Sequence, residues 1–256
     1  MDPGDHAAVV TGGASGLGEE TAIRLARAGV KVAVFDLNRE AARKAASTIG
    51  GIGIECDVSD PDSTTTAFKQ AREKHGPARI VVNCAGIGTA KRIVGRDGPM
   101  PLNDFQRVIS VNLIGTFNVM RLAAAEMATL DTLGDNERGV IISTASIAAF
   151  EGQIGQAAYA ASKRGVAALT LPAAREFAQF GIRVLTIAPG LFETPMLLGL
   201  PREAQESLAA SIPFPRQLGR PGQYADLVLH CIQNTYLNGE VIRLDGGLRL
   251  APRQLR

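Results

Sequence analysis

The chain has 256 residues, of which 46% are hydrophobic and 20% are charged. Its 27 Lys and Arg against 25 Asp and Glu leave a formal net charge of +2, too near neutrality to indicate a nucleic-acid partner. The apolar content, with Gly and Pro scattered without a period, excludes a disordered or collagen-like chain. Length and composition together predict one globular domain over residues 1–256.

The amino terminus and the cysteines bear on the compartment. The first six residues are polar and include Pro and Gly, so we expect no signal peptide. No uninterrupted apolar run approaches the ~18 residues of a membrane span, so we expect no membrane partner. Cys56, Cys84 and Cys231 are odd in number and never spaced Cys-x-x-Cys. That pattern indicates buried thiols in a reduced, cytoplasmic protein without a structural metal.

Seven short runs rich in β-branched residues alternate with longer Ala-rich segments of helical period. Strands are predicted at Ala7–Thr11, Val30–Asp36, Gly51–Asp57, Arg79–Cys84, Val140–Ser146, Ile182–Ile187 and Glu240–Leu244. Helices are predicted near 16–28, 38–48, 60–74, 102–129, 156–179, 195–209 and 221–233. Because the strands are apolar throughout, both faces of the sheet should be buried. The pattern predicts an α/β protein with a single doubly wound parallel sheet, a Rossmann fold with helices on both faces.

Two connections, Gly88–Pro101 and Ala128–Gly139, are longer than this fold requires. The first follows a strand, so it should lie at the carboxyl ends of the strands, where α/β proteins place substrate contacts. It carries the basic residues Lys91, Arg92 and Arg96. The second leads into a strand, so we expect it at the opposite end of the sheet without a catalytic role.

A glycine-rich stretch, residues 11–18, lies where the first strand turns into the first helix. Glycines let the backbone turn tightly and approach a pyrophosphate, and the helix N-terminus offers free N–H groups. Asp36 follows Gly18 by 18 residues, close to the ~20 typical of an acid that binds the adenosine ribose. Since a carboxylate there repels a 2′-phosphate, the sequence favours NAD over NADP. Arg39 argues the other way, and Ser15 has the alternative role of a helix N-cap.

Tyr159 and Lys163 lie four residues apart in a predicted helix, so their side chains share one face. Oxidation of an alcohol needs a base for the hydroxyl proton while hydride leaves the carbon. A phenol has a pKa of about 10, which an ammonium one turn away is expected to lower. Ser146, at the end of the fifth strand, is placed to hydrogen-bond the reacting oxygen. The alternative is a surface Tyr and Lys that share a helix face by coincidence.

The spacing Gly-x-x-x-Gly-x-Gly resembles that of the short-chain dehydrogenase/reductase family, and the resemblance extends from residue 7 to about residue 250. Its further motifs are Asp57-Val58, Asn83-Cys84-Ala85-Gly86, Asn112, Ser146, Tyr159-x-x-x-Lys163 and Pro189-Gly190. The resemblance implies that Tyr159 is the general acid/base and that Lys163 also binds the nicotinamide ribose. It also implies that Ser146 orients the substrate and that Asn112 holds a proton-relay water. A helix-capping or core hydrogen-bonding role is the alternative for Asn112.

The resemblance further implies which residues contact the ligands. The dinucleotide should contact Gly12, Ser15, Gly16, Leu17, Gly18, Asp36, Asp57, Val58, Asn83, Cys84, Ala85, Gly86, Tyr159, Lys163, Pro189, Phe192 and Thr194. The substrate should contact Ser146, Gln153, Gln156 and Tyr159.

Within the family, more than half of the chain resembles the type-2 3-hydroxyacyl-CoA dehydrogenases. The similar segments are 81–86, 105–122, 144–159, 186–195 and 237–246. This likeness implies NAD-dependent interconversion of 3-hydroxyacyl-CoA and 3-oxoacyl-CoA in fatty acid metabolism by a homotetramer. The two glutamines would hydrogen-bond a thioester carbonyl, and the basic residues of 88–101 would meet coenzyme A phosphates. An apolar lid over an acyl chain or steroid would comprise Phe192, Met196, Leu197 and Leu198.

Two residues depart from that group. Arg164 follows Lys163 where a small residue is usual, and Ser143 replaces an Asn in the fifth strand. We expect Arg164 to point away from Tyr159 and to affect packing or subunit contacts. The 91–101 loop also differs, which leaves acyl chain length and branching open.

Three other functions compete with this interpretation. A 3-oxoacyl-carrier-protein reductase has the same fold, but it usually works with NADP, so Asp36 weighs against it. A hydroxysteroid dehydrogenase is the second alternative. The third is a non-catalytic NAD-binding scaffold, which would have no need of Ser146, Tyr159 and Lys163 together.

Overall fold

The computed structural model describes residues 1–252, without the side chain of Met196. The strands are β1 Ala7–Thr11, β2 Lys31–Asp36, β3 Ile52–Glu55, β4 Ala78–Asn83, β5 Val94–Gly95, β6 Gly98–Pro99, β7 Gly139–Thr144, β8 Ile182–Pro189 and β9 Val241–Leu244. The helices are α1 Gly16–Arg27, α2 Arg39–Ser47, α3 Pro61–His75, α4 Leu102–Ile109, α5 Gly115–Met127, α6 Ala157–Phe177, α7 Pro195–Leu198, α8 Arg202–Ala210 and α9 Pro221–Gln233. A π-helical turn, Ser110–Ile114, joins α4 to α5.

Seven strands form one parallel sheet in the order β3-β2-β1-β4-β7-β8-β9. The strand order reverses direction between β1 and β4, and the crevice outside the carboxyl ends of strands at such a switch point is where open α/β sheets bind ligands. The short strands β5 and β6 form a separate antiparallel hairpin within the 88–101 connection. The predicted doubly wound parallel sheet is confirmed.

The sheet is buried on both faces because its central strands are predominantly apolar and do not alternate with exposed polar residues. All residues of β1, β7 and β8 are buried. Successive side chains of a strand point to opposite faces. Val10 accordingly joins one core cluster under α1, α2 and α9, whereas Val9 joins a second cluster under α3, α5 and α6. This double burial holds the carboxyl ends of the strands in a fixed arrangement.

The predicted helix over 195–209 is wrong as a single element. The structure has two helices, α7 and α8, separated by 199–201. Pro201 has an extended backbone, with ψ 147°. Because proline disfavours the helical conformation in the residue before it, the chain breaks there and α8 starts afresh.

The helical segment 102–127 is long and apolar enough, by length and composition, to cross a membrane. Polar residues interrupt it, among them Asn112, Asn118 and Arg121, so no uninterrupted apolar run within it approaches that length. Half of its most apolar window is buried inside the protein. Within it, the Asn112 and Asn118 amides donate to Ser162 Oγ and to the Val58 carbonyl, both at 3.0 Å. Packing in the core accounts for the apolar composition of this segment.

The Ala128–Gly139 connection leads into β7 at the amino end of the sheet, as predicted. Its buried Glu137 accepts a hydrogen bond from Arg183 of β8 at 2.8 Å. Arg183 also donates to the carbonyls of Cys231 and Ile232 at 2.7 and 2.8 Å. These contacts join β8 to the end of α9 and are structural.

Candidate active site

A tight glycine turn connects β1 to α1. Gly12 has a φ of +61°, and a Cβ there would lie 2.7 Å from the Ala85 nitrogen. A Cβ on Gly18 would lie 2.2 Å from the Gly12 carbonyl oxygen. Side chains are therefore excluded from this turn, and the first backbone N–H groups of α1 have no partner within the helix, as at any helix N-terminus. Ser15 is the N-cap residue of α1, as the alternative had it, but its side chain makes no capping hydrogen bond within residues 1–252.

Asp36 lies at the end of β2, beside the glycine turn. One carboxylate oxygen accepts the Ala14 N–H at 3.3 Å, and the other accepts the Asn38 N–H at 3.1 Å. A carboxylate has about four lone-pair sites, so this half-buried group is fixed in orientation and keeps acceptor capacity. Arg39, the first residue of α2, is exposed and lines a polar hollow of about 330 Å³ at the sheet edge with Arg43.

The Asp57-Val58 motif is rigidly held after β3. Asp57 Oδ1 accepts the Ser59 N–H at 2.9 Å and the Ser59 hydroxyl at 2.6 Å. Val58 is buried, and its carbonyl accepts the Asn118 amide at 3.0 Å. A Cβ at Gly115 would lie 2.6 Å from Val58 Cγ2. Close packing against α5 therefore fixes this edge of the crevice.

The loop after β4 is held between β1 and β7. The Asn83 amide donates to Ser143 Oγ at 3.4 Å, so the serine that departs from the family pattern still serves as an acceptor. The Asn83 carbonyl accepts the Thr144 hydroxyl at 2.6 Å. The Ala85 N–H donates to Thr11 Oγ1 at 3.2 Å. This motif is thus structurally anchored where it borders the crevice.

The structure brings the predicted catalytic side chains together at the carboxyl end of β7. The Ser146 hydroxyl accepts the Ala148 N–H at 3.1 Å and lies close enough to the Tyr159 phenol to lower its pKa in part. Lys163 Nζ lies 5.8 Å from the centre of the Tyr159 ring and donates to the Thr144 carbonyl at 2.7 Å. Lys163 is 4% exposed, and burial lowers its pKa to about 8.

The pKa of Tyr159 moves against the expectation from sequence. Burial raises that pKa above its ordinary value, and the Ser146 hydroxyl lowers it only in part. Lys163 is directed at the Thr144 carbonyl rather than at the phenol oxygen. The expectation that Lys163 lowers the Tyr159 pKa was therefore wrong for the chain by itself. An ionised phenol at neutral pH requires further positive charge beside the ring.

Asn112 lies in the π-helical turn and is fully buried. Its Oδ1 accepts the Ile87 N–H at 2.8 Å, and its Nδ2 donates to the Ile87 carbonyl at 2.8 Å and to Ser162 Oγ at 3.0 Å. The side chain therefore has the core hydrogen-bonding role that the sequence left open. It ties the loop after β4 to α6, and π-helical turns are frequent at functional sites. The water relay stays a prediction.

The two glutamines predicted to meet the substrate differ in their surroundings. Gln153 Nε2 donates to the Ala251 carbonyl at 2.8 Å. Gln156 Oε1 is buried and has no hydrogen-bond partner within residues 1–252, and the same holds for Thr89 Oγ1. Gln156 thus has spare acceptor capacity, whereas Gln153 is tied to the carboxyl-terminal segment.

The predicted lid is only partly a surface feature. Phe192 is 6% exposed, and its ring fills the space that a side chain at Gly219 would need. Its assignment to a lid was therefore wrong, because the ring belongs to the core. Leu197 packs at the edge of an apolar cluster, and Leu198 is exposed. The side chain of Met196 lies outside the described residues.

The segment after β8 closes the glycine turn from the other side. A Cβ at Gly16 would lie 3.5 Å from Thr194 Cγ2, so Thr194 borders the turn. Pro189 ends β8 beside Leu244 of β9. Leu17 is half-buried against the core.

The basic residues of the 88–101 connection are not equivalent. The Lys91 ammonium forms an ion pair with Asp104, and its backbone N–H donates to the Gly155 carbonyl at 2.8 Å. Arg92 and Arg96 are exposed. Lys91 is exposed as well but anchors this connection, whereas Arg92 and Arg96 form no ion pair with another of residues 1–252.

Sequence reasoning missed Thr144 and Tyr224. The Thr144 carbonyl holds Lys163, while its hydroxyl donates to Asn83. Tyr224 of α9 is fully buried, and its hydroxyl lies 2.7 Å from Thr144 Oγ1, to which it must donate. A tyrosine in the apolar face of a helix needs an internal partner, and that signal was available in the sequence.

The family assignment follows from comparison with known proteins. A family model described as short chain dehydrogenase matches residues 6–205. The chain is a short-chain dehydrogenase. It is 50% identical over 249 residues to a bovine protein named 3-hydroxyacyl-CoA dehydrogenase type-2, covering 96% of this chain and 95% of that one. The namesake from Drosophila melanogaster is 49% identical over 248 residues, with 95% and 97% covered.

A solved structure agrees with this assignment. The crystal structure of 3-hydroxyacyl-CoA dehydrogenase type-2 from Mycobacterium avium superimposes with a TM-score of 0.92 at 44% identity. The match covers 97% of this short-chain dehydrogenase and 98% of that chain. At this similarity the fold and the family are shared.

In this short-chain dehydrogenase the unusual Arg164 is exposed, and its guanidinium carbon lies 5.3 Å from the centre of the Phe150 ring. Arg243 lies at 5.3 Å from the same ring. The expectation that Arg164 affects packing is confirmed, because its guanidinium stacks on a ring close to the site.

Proposed function

We propose that this short-chain dehydrogenase interconverts 3-hydroxyacyl-CoA and 3-oxoacyl-CoA with NAD, as a step of fatty acid metabolism. The observation that carries the proposal is the meeting of Ser146, Tyr159 and the buried Lys163 at the glycine-lined crevice. The relatives that share half of the sequence bear the name of that activity.

The residues of the crevice fit a dinucleotide. Backbone positions at Gly12 and Gly18 exclude side chains, which leaves room for a pyrophosphate against the start of α1. The fixed carboxylate of Asp36 has acceptor capacity for two ribose hydroxyls. When bound, the oxidised nicotinamide ring accepts hydride and carries a positive charge.

The chain's own residues handle the oxygen and its proton. The Ser146 hydroxyl orients the substrate oxygen by a hydrogen bond, and Tyr159 removes the hydroxyl proton during oxidation or returns it during reduction. The Lys163 ammonium, held by the Thr144 carbonyl, provides positive charge on the same face of α6. By itself this charge does not outweigh the burial that raises the pKa of the phenol, so the positive charge of a bound oxidised nicotinamide would have to add to it.

Asp36→Ala is expected to lower the preference for NAD over NADP by about 10- to 100-fold, since hydrogen bonds to a charged group contribute ~1.5–3 kcal/mol. Steady-state kinetics with each dinucleotide measures the ratio of kcat/KM values. Glu55→Gln is the matched control, because exposed Glu55 pairs in register with Asp36 on the neighbouring β3. A wild-type enzyme that prefers NADP contradicts the proposed cofactor.

A substrate series separates the proposed function from its alternatives. NAD reduction should be measured with 3-hydroxyacyl-CoAs of increasing length, the corresponding acyl-carrier-protein thioester and a hydroxysteroid. We expect turnover of the CoA thioesters, with Arg92 and Arg96 proposed as the cations that meet the coenzyme A phosphates. Equal inactivity on all thioesters would rule out the CoA substrate and leave the family assignment intact.

We also propose a homotetramer, supported by apolar side chains that are about half exposed on neighbouring helices. They are Ile114 at 49%, Phe117 at 50% and Leu171 at 45%. Exposed apolar patches of this kind mark association surfaces. Light scattering of the purified chain tests the assembly, and a monomer contradicts it.

We further propose a cytoplasmic location, supported by three free thiols and testable by cell fractionation.

A further inference from the structure

A charged cluster outside the catalytic set lies between the loop after β7 and the end of β9. Arg243 grips Glu151 with two parallel bonds, from Nη1 to Oε1 at 2.6 Å and from Nη2 to Oε2 at 3.0 Å. Its Nε donates to Asp245 at 2.7 Å. The Leu250 N–H approaches Glu151 Oε2 at 3.4 Å. Such bidentate, charge-assisted pairs fix both position and orientation.

Further hydrogen bonds fasten the carboxyl-terminal segment to the same loop. The Ile154 N–H donates to the Pro252 carbonyl at 3.0 Å. Gln153 Nε2 donates to the Ala251 carbonyl at 2.8 Å. Residues 248–252 therefore lie along the loop 151–156 and are held at several points. We call this arrangement the carboxyl-terminal wall.

The apolar side of the wall reaches the segment that follows β8. Leu248 is buried in a small cluster with Ile147, Ile212 and Leu218. Leu197 of α7 and Leu250 pack at the edge of that cluster. One segment thus contacts both the loop beside Ser146 and helix α7, which carries the leucines proposed to cover the substrate.

The loop 151–156 has a catalytic residue on either side. Ser146 precedes it by five residues, and Tyr159 follows in the first turn of α6, whose N-cap position is Gln156. Phe150 immediately precedes the loop, and its ring centre lies 5.3 Å from the guanidinium carbons of both Arg164 and Arg243. A shift of this loop would therefore move the substrate side of the site without touching the glycine turn.

We infer that Glu151 is a positioning residue which, through Arg243, holds the carboxyl-terminal wall and the loop 151–156 in the arrangement that binds the acyl part of the substrate. This inference rests on the proposed function for the identity of that substrate. The contact with Arg243 holds the pKa of Glu151 below its ordinary value, so the carboxylate stays ionised at neutral pH. Within residues 1–252, Glu151 forms no hydrogen bond or ion pair with a catalytic side chain, so its effect on the reaction is indirect.

The test is Glu151→Gln in the full-length enzyme, which keeps the size of the side chain and removes its charge. We expect KM for a 3-hydroxyacyl-CoA to rise about five- to tenfold, with kcat changed less than twofold. The Kd for NAD should stay within twofold. Hydrogen exchange at the Ile154 and Leu250 amides should accelerate about tenfold, because the wall loosens. Glu206→Gln is the matched control, since it breaks the exposed pair with Arg202 on α8 and should change none of these.

The exchange measurement decides the inference independently of the substrate. If the wild-type enzyme turns over no acyl-CoA, the proposed function fails. Hydrogen exchange in Glu151→Gln still decides whether Glu151 holds the wall: accelerated exchange supports this role, and unchanged exchange rejects it. Unchanged exchange in Glu151→Gln, or an equal loss of NAD affinity and substrate affinity, overturns the inference. Should that variant fail to fold, Arg249→Gln removes the outer contacts of the cluster, to Asp245 at 3.1 Å and to Glu151 at 3.6 Å, from a side chain that is 60% exposed. It should accelerate Leu250 exchange by a smaller factor, and no change overturns the inference.

Discussion

Tyr159→Phe is expected to lower kcat by about 10²- to 10⁴-fold, the usual contribution of a positioned general acid or base. The substitution removes only the phenol oxygen, so the ring keeps its place in α6 beside Lys163. The Kd for NAD should change less than threefold because the glycine turn and Asp36 are untouched. Stopped-flow or steady-state NADH absorbance gives kcat, and titration calorimetry gives Kd.

Tyr236→Phe is the matched control for this variant. Tyr236 is 99% exposed, so loss of its hydroxyl should leave kcat and Kd unchanged. A Tyr159→Phe enzyme that keeps a tenth or more of the wild-type kcat would remove Tyr159 from the proton transfer. Ser146 and Lys163 would then have to act together with a general base other than Tyr159.

The sheet could be predicted because each strand carries its own signal. Short runs without polar alternation, such as the apolar first half of Val140–Ser146, require burial on both faces whatever lies next to them. The glycine turn and Asp36 were predictable for a similar reason, since steric space and charge at those positions are properties of the residues themselves. The break before α8 was also encoded locally, at Pro201, but the helical pattern on both sides concealed it.

Other features depend on contacts that no local pattern contains. Whether the Tyr159 pKa rises or falls depends on the balance between burial and the direction of the Lys163 ammonium. Gln153 reaches Ala251, which is 98 residues away in the chain. Phe192 is in the core because Gly219 leaves room for its ring. Long-range packing determines each of these three features. The residue type alone only limits which partners a side chain can have.

Lys163→Met is expected to reduce kcat/KM for the alcohol by about 10²- to 10³-fold, the range for loss of one preorganised electrostatic contact. Burial lowers the pKa of Lys163 to about 8, so the ammonium is the main form below that pH and is lost above it. The Kd for NAD of the wild-type enzyme should accordingly rise as pH increases from 7 through about 8 to 9.5. In Lys163→Met the Kd for NAD should be higher than in the wild-type enzyme and independent of pH over this interval.

The pH dependence is the more decisive part of this prediction. If Lys163 were only structural, its replacement would lower activity, but NAD binding by the wild-type enzyme would show no titration near pH 8 that disappears in Lys163→Met. Lys69→Met, which removes an exposed ammonium from α3, should retain the wild-type profile. A titration that persists in Lys163→Met would belong to another group.

Within residues 1–252, Lys163 Nζ donates to one acceptor, the Thr144 carbonyl, so the ammonium has N–H donors left for a ribose hydroxyl. Loss of its proton weakens those donors and the positive charge beside Tyr159 together, so NAD binding and proton transfer should decline over the same pH interval.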